Sequence, residues 1–335
     1  MACKRSYAID NLRALLIICV VAGHLLEILP FSISRQLYAL IYSFHMPAFA
    51  FVSGMCSKLD EKTPKRIARQ YIYPYLVFQT LYQLYSNHIL CIPVGYQYTT
   101  PYWLLWYLMS MIWWHGLLAA YSVVAKKWLA SAAAFLIALL VGFNSSVGYF
   151  ASLSRTFVLF PFFLGGYYAK DIGFFCNDEW KKSTVLIRGL RLIAVGASSL
   201  LCALIMIHSS KIHNKMIYHS YPYSMPEFGI VHRLIILLVA WLWIGALFAL
   251  IPRVKIPWLT YCGQNTISIY LFHGFIIKLI EQVLPALQLN RHYLVFAVLA
   301  VLIPVVLSSA PFVKLYKFLM RFPFLLKEKL LEKSR

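Results

Sequence analysis

The sequence has few charged residues, and acidic residues are especially scarce. Asp, Glu, Lys and Arg make up 13% of the 335 residues, whereas 61% are hydrophobic. Soluble domains carry about 25% charged residues, so this composition excludes an ordinary soluble domain and indicates an integral membrane protein. The 31 Lys and Arg outnumber 11 acidic residues, giving a net charge of +20. These cations lie in short clusters between apolar segments, so we expect no nucleic-acid partner.

Several sequence features that would indicate other protein classes are missing. The seven cysteines include no CxxC pair, which argues against a disulfide framework. The histidines lie in different spans, and no pair of them has ligand spacing beside carboxylates, so we expect no metal site. The first apolar segment contains no small-residue cleavage site, so we expect no cleavable signal peptide. The absence of an internal repeat weighs against transporters built from two similar halves.

Long apolar segments dominate what is present. A window of about 19 residues, the length needed to cross the hydrocarbon core, predicts ten transmembrane helices. The sequence therefore predicts an all-α, polytopic membrane protein. The predicted spans cover residues 8–28, 36–57, 70–90, 102–124, 128–146, 155–172, 187–208, 229–251, 263–284 and 293–313.

The distribution of Lys and Arg predicts the orientation of these spans. With the N-terminus in the cytoplasm, 23 of the 31 cations fall in the inner loops and the two tails, and 6 fall outside. Inner loops are enriched in Lys and Arg, so both termini are predicted to be cytoplasmic. We expect a membrane domain over residues 1–318 and a basic cytoplasmic tail over 319–335.

The first predicted span carries two ionisable residues, Arg13 and His24. Eleven residues at 100° each bring both side chains to one helix face, about 16 Å apart along the axis. Charged groups in the bilayer cost about 2.5–3.5 kcal/mol, which makes them functional candidates. Arg13 could hold donor phosphates, His24 could remove a hydroxyl proton, and Glu27 could orient the His24 ring. Alternatively, Asp10 neutralises Arg13, and His24 only bonds a neighbouring helix.

Other candidates lie in the next segments of the chain. Arg66 and Arg69 share one face of a helix at the cytoplasmic boundary and could bind phosphates, although loop cations can equally reflect topology alone. His45 precedes Pro47, which should kink the second span; the imidazole could line a cavity or satisfy a freed carbonyl. Trp106 could stack on a sugar or simply pack between helices. His273 in the ninth span is more typical of a bridge between helices.

Taken together, these segments resemble the acyltransferase-3 family of integral-membrane O-acyltransferases, and in particular its fucose 4-O-acetylase-like subgroup. Five segments carry the resemblance in order along the chain. They are the Arg-x10-His motif at Arg13 and His24, the second-span segment 44–54 (FHMPAFAFVSG), the basic loop through Arg66 and Arg69 before Pro74, the segment 155–170 (RTFVLFPFFLGGYYAK), and the segment 265–274 (NTISIYLFHG).

The resemblance implies transfer of an acyl group, usually acetyl, from cytoplasmic acyl-CoA to a hydroxyl of an extracytoplasmic acceptor. The acceptor would be a cell-surface glycan or its lipid-linked precursor, and the glycan-synthesis machinery is a possible partner. His24 would be the essential histidine and Arg13 its paired arginine, with Arg66 and Arg69 holding the donor. The expected location is the cell membrane of a bacterium, among membrane lipids.

Two other readings of the charged spans stay open from the sequence. An exporter of glycans or lipids could use the same intramembrane cavity without any dependence on CoA. A sensor or accessory module acting through a partner is the second alternative. The Arg-x10-His pair and the order of the five segments favour the enzyme.

Overall fold

A computed structural model describes residues 6–29, 32–124, 126–170, 184–212, 214–224, 228–287 and 293–333. Within these ranges the chain forms helices and turns without a β-strand, which confirms the all-α fold. Among the described residues, six helices are long and apolar enough to cross a membrane, and a seventh span results if a pair bent by 55° counts as one. The count of ten spans and the cytoplasmic placement of both termini stay predictions.

Helices occupy all ten predicted positions, although several are short or interrupted. The predicted span at 70–90 consists of an α-helix between two π-helical turns, Ala68–Ile72 and Tyr85–Ile89. The helices are α1 (Tyr7–Glu27), α2 (Ser32–Tyr42), α3 (His45–Cys56), α4 (Thr63–Ile67), α5 (Tyr73–Leu84), α6 (Trp106–Tyr121), α7 (Lys127–Leu140), α8 (Leu153–Ala169), α9 (Thr184–His208), α10 (Asn214–Ile217), α11 (Ile230–Leu250), α12 (Pro257–Gln264), α13 (Thr266–Leu287), α14 (Tyr293–Leu307) and α15 (Ala310–Lys333).

Helix α1 lies at the centre of the bundle, in contact with α2, α3, α12, α13 and α14. In its most apolar window 56% of the residues are buried, against 17% in the corresponding window of α9. A polar anchor fixes the beginning of α1: Asn11 Nδ2 donates to the carbonyls of Pro252 and Val254, at 2.9 Å each. The Thr260 hydroxyl donates to Asn11 Oδ1 at 2.7 Å. The helix bearing the candidate residues is therefore held firmly by its neighbours.

The second predicted span is broken between α2 and α3, at Ser43 and Phe44. The break precedes Pro47, which occupies the first turn of α3, where a missing N–H is tolerated. His45 Nδ1 lies 2.8 Å from the carbonyl oxygen of Ile41 at the end of α2. The imidazole thus satisfies a backbone carbonyl beside the break.

Helices α3 and α8 cross closely because each presents a glycine to the other. A Cβ at Gly54 would overlap the carbonyl of Phe163, and a Cβ at Gly166 would overlap the carbonyl of Phe51. Only glycine allows backbones to approach this closely. The crossing holds α3 and α8 against each other, and both helices border the cavities described below.

The end of the chain is helical across the predicted domain boundary. Helix α15 runs without interruption through residue 318, so no helix end separates the membrane domain from the expected tail. The division at 318 stays a prediction, and residues 334 and 335 lie outside the described part.

Candidate active site

Two internal cavities meet at His24. The Arg13 cavity, of about 370 Å³, extends from His24 along α1 past Arg13. The Glu27 cavity, of about 300 Å³, extends from His24 in the other direction, past Glu27 to the loop after α10. The residues that line both are His24, Met46, Leu104 and Trp106.

The His24 ring is fixed by three neighbours. Its Nδ1 lies 3.2 Å from Glu27 Oε2, one helical turn further along α1. The ring centroid lies 4.5 Å from that of Trp103 and 5.6 Å from that of His273. A carboxylate only accepts hydrogen bonds, so Nδ1 is the protonated nitrogen, and Nε2 of the neutral ring keeps its lone pair. This is the tautomer that a general base requires.

The Glu27 carboxylate is held by tyrosine hydroxyls on the side away from His24. Its Oε1 accepts from Tyr42 at 2.6 Å and from Tyr218 at 3.0 Å, with Tyr38 at 3.4 Å. These donors occupy Oε1 and leave Oε2 to the imidazole. The predicted role of Glu27, orienting the His24 ring, is compatible with this arrangement.

Arg13 lines the opposite end of the Arg13 cavity. Its Nη2 donates to the Thr266 hydroxyl at 2.7 Å, while Asp10 accepts from Gln264 at 3.2 Å. Arg13 and His24 border one cavity from the same helix, as their spacing predicts. Ser53, Cys56, Ser57, Gln70 and Tyr71 also line this cavity.

Arg66 and Arg69 are not among the residues that line the two cavities in the described part of the chain. Arg66 Nη1 donates to Asp60 Oδ2 at 3.2 Å and Nη2 to the Thr63 hydroxyl at 2.9 Å. The bond from Arg66 lowers the pKa of Asp60. Arg66 therefore closes the loop before α4, and a role for either arginine in donor binding stays a prediction.

His45 and Trp106 lie where a lining role requires. His45 borders the Glu27 cavity, and Trp106 borders both cavities. The bond to Ile41 occupies only Nδ1 of His45. His45 therefore both satisfies a backbone carbonyl and lines a cavity, as the two alternatives from the sequence propose.

The tyrosines that surround the Glu27 carboxylate are absent from the residues predicted from the sequence, and His273 is predicted there only as a structural residue. Tyr38 and Tyr42 carry a signal, since two tyrosines four residues apart share one face of α2. No sequence pattern points to Tyr218, because it lies in irregular backbone directly after the four-residue helix α10. The hydrogen bonds of His273 do not bridge helices as the sequence suggested: its Nδ1 bonds the carbonyls of Ile269 and Tyr270 within α13, and its ring stacks on His24.

Comparison with known families identifies the chain. The family model described as an acyltransferase domain, acyltransferase-3, matches residues 6–309. The chain belongs to the acyltransferase-3 family. It is therefore a multi-pass membrane acyltransferase, and the residues that line the two cavities fall within the matched range, except Tyr316. No curated protein matches the chain, and no solved structure matches it either.

No group of three or more His, Cys, Asp or Glu that could hold a metal ion occurs among the described residues of this acyltransferase. The ionisable side chains that line the two cavities include the His24–Glu27 pair and Arg13.

Proposed function

We propose that this acyltransferase transfers an acetyl group from cytoplasmic acetyl-CoA to a hydroxyl of a cell-surface glycan or its lipid-linked precursor. The donor enters the Arg13 cavity and the acceptor enters the Glu27 cavity, in the cell membrane of a bacterium. One observation carries the proposal: His24 belongs to the walls of both cavities. Two substrates from opposite sides can therefore reach the same imidazole.

The chemistry of the donor side is that of a phosphate-bearing thioester. Arg13 offers a guanidinium in the Arg13 cavity, and guanidinium groups bind phosphate oxygens in pairs. Arg66 and Arg69 follow on the same predicted side of the membrane and would attract the nucleotide part of CoA. Orientation by positive-inside counting supports entry from the cytoplasm.

The transfer step is direct in this proposal. His24 Nε2 accepts the proton of the acceptor hydroxyl as the oxygen attacks the acetyl carbon. The bond from oxygen to the acetyl carbon forms, the C–S bond of the thioester breaks, and the proton passes from His24 to the CoA thiolate. Glu27 holds the ring and stabilises the imidazolium that forms between these events.

The test is transfer of radiolabel from acetyl-CoA to membrane glycan by purified protein. Wild type should label the glycan, and His24→Ala should reduce the rate by about 100-fold or more, because general-base catalysis contributes 10²–10⁴-fold. His208→Ala is the control, since His208 is exposed at the end of α9 and lines neither cavity. Undiminished transfer by correctly inserted His24→Ala protein would contradict the mechanism.

The alternative hypothesis, an exporter of glycans or lipids, predicts a different result with the same purified protein. Reconstituted protein would move glycan across liposomes without acetyl-CoA and would show no donor binding. That pair of results would replace the acetyltransferase proposal.

A further inference from the structure

The Glu27 cavity contains a cation that the proposed reaction does not use. Arg155, in the first turn of α8, lines this cavity. Its Nε donates to the carbonyl oxygen of Tyr218 at 3.0 Å. The guanidinium lies 4.9 Å from the Trp106 ring centroid and 5.4 Å from that of Tyr149. Aromatic faces and one backbone carbonyl thus hold the group in place.

No carboxylate of the described residues contacts Arg155 directly, and Glu27 acts on it only through a longer-range Coulomb attraction. None of the ion pairs in the described part of the chain includes Arg155, and its Nη atoms make no hydrogen bond there. Glu27 is the one carboxylate among the described lining residues, and its oxygens are occupied by His24 and tyrosine hydroxyls. A largely enclosed cation without a directly paired carboxylate is costly, so an anionic ligand would be favoured here.

A second polar group in the same wall also lacks a partner. His219 is only 3% exposed, and neither of its ring nitrogens has a hydrogen-bond partner. Its backbone adopts a left-handed conformation, φ +59°, and its carbonyl accepts from the Ser154 hydroxyl at 2.7 Å. Burial lowers the pKa of His219 to about 3, which leaves a neutral imidazole at pH 7. A neutral imidazole can both donate and accept a hydrogen bond, although both ring nitrogens are buried from solvent here.

We infer that the Glu27 cavity binds an acidic sugar, with its anionic group on Arg155 and one of its hydroxyls presented to His24. The inference rests on the proposed function and specifies its acceptor. The rings of Trp106 and Tyr149 offer apolar faces for a pyranose, and Trp106 also borders the Arg13 cavity. The anionic group is a carboxylate, as in a uronic acid, or a phosphate, as in a sugar phosphate; both match guanidinium geometry.

The test measures equilibrium binding by calorimetry, without acetyl-CoA, so it does not depend on transfer. The probes are methyl glucoside, methyl glucuronide and glucose 6-phosphate. At least one anionic probe should bind wild type about 10-fold more tightly than methyl glucoside, because hydrogen bonds between charged groups are the stronger ones. The anionic probe with the larger gain in affinity over methyl glucoside shows whether the preferred anionic group is a carboxylate or a phosphate.

Two arginine variants make the test specific. Arg155→Gln should bring the ratio of anionic to neutral binding close to one, and Arg155→Lys should keep part of the preference. Arg35→Gln is the matched control, because Arg35 donates to a backbone carbonyl on the same predicted side but lines neither cavity. Thermal denaturation checks that each variant is folded.

Three results would overturn the inference: equal binding of neutral and anionic sugars by wild type, no binding of any probe, or an unchanged preference in folded Arg155→Gln protein. Failure of the proposed function looks different, since it would appear as absent label transfer whatever the binding results. Transfer to neutral and acidic glycans at equal rates would overturn only the acidic-sugar inference.

Discussion

At the scale of single residues, the site depends on how one imidazole is held. Oε2 of Glu27 accepts a hydrogen bond from Nδ1 of His24, and Oε1 accepts hydrogen bonds from tyrosine hydroxyls. A histidine in this position keeps one tautomer and one ring orientation, as the histidine of a catalytic triad does. In the proposed reaction, the carboxylate would also stabilise the positive charge that forms on the ring during proton transfer.

Replacing Glu27 with glutamine tests this arrangement. Glu27→Gln keeps the size and an acceptor oxygen but removes the negative charge, so kcat should fall about 100-fold while the KM for both substrates changes little. Glu281→Gln provides the control, because Glu281 is an exposed partner of Lys278 and lines neither cavity. Steady-state kinetics measure kcat and KM for each variant. A wild-type kcat in Glu27→Gln would exclude a role for the Glu27 charge in the reaction.

The sequence predicts one part of this site and misses another for a physical reason. Arg13, His24 and Glu27 belong to one helix, where a regular rotation per residue places side chains on a common face. Tyr218 reaches Glu27 across 191 residues of chain, through a loop whose course no local pattern determines. The sequence therefore predicts that Arg13, His24 and Glu27 share one helix face, but not the hydroxyls that bond the carboxylate.

At the scale of helices, hydropathy predicts position well and local irregularity poorly. A 19-residue window averages over the break between α2 and α3 and over the 55° bend between the helices at 294–307 and 310–321. Pro47 correctly indicates irregular backbone in the second span, although the break lies just before it. Such breaks depend on tertiary partners, including the bond from His45 to Ile41, and not on average apolarity.

The crossing of α3 and α8 gives a stability prediction. Gly54→Ala and Gly166→Ala place a methyl group against a carbonyl oxygen of the opposite helix, so each should lower the free energy of unfolding by about 3 kcal/mol. Gly196→Ala on α9 has open space around its Cβ and is the matched control. Thermal denaturation in detergent measures the effect. Equal stability of all three variants would show that the helices separate more easily than their contact suggests.

At the scale of the whole molecule, the predicted orientation can be tested with two cysteines. Cys56 and Cys91 are both exposed, and positive-inside counting places the first near the cytoplasm and the second outside. In single-cysteine variants, a membrane-impermeant maleimide should label Cys91 on intact cells and Cys56 only after permeabilisation. Acetyl-CoA should slow labelling of Cys56, which lines the Arg13 cavity. The reverse labelling pattern would invert the orientation.

The meeting of both cavities at His24 bears on the electrical balance of the membrane. In the proposed reaction, an acetyl cation equivalent leaves the thiolate and moves outward, while the proton of the acceptor hydroxyl moves inward to that thiolate. One unit of positive charge is exchanged for another, so a turnover carries no net current. Moving a single charge across 100 mV changes the free energy by about 2.3 kcal/mol. Because no net charge crosses the membrane in this reaction, the membrane potential makes no such contribution to it. Acetylation is then independent of the membrane potential, and the thioester alone supplies its driving force.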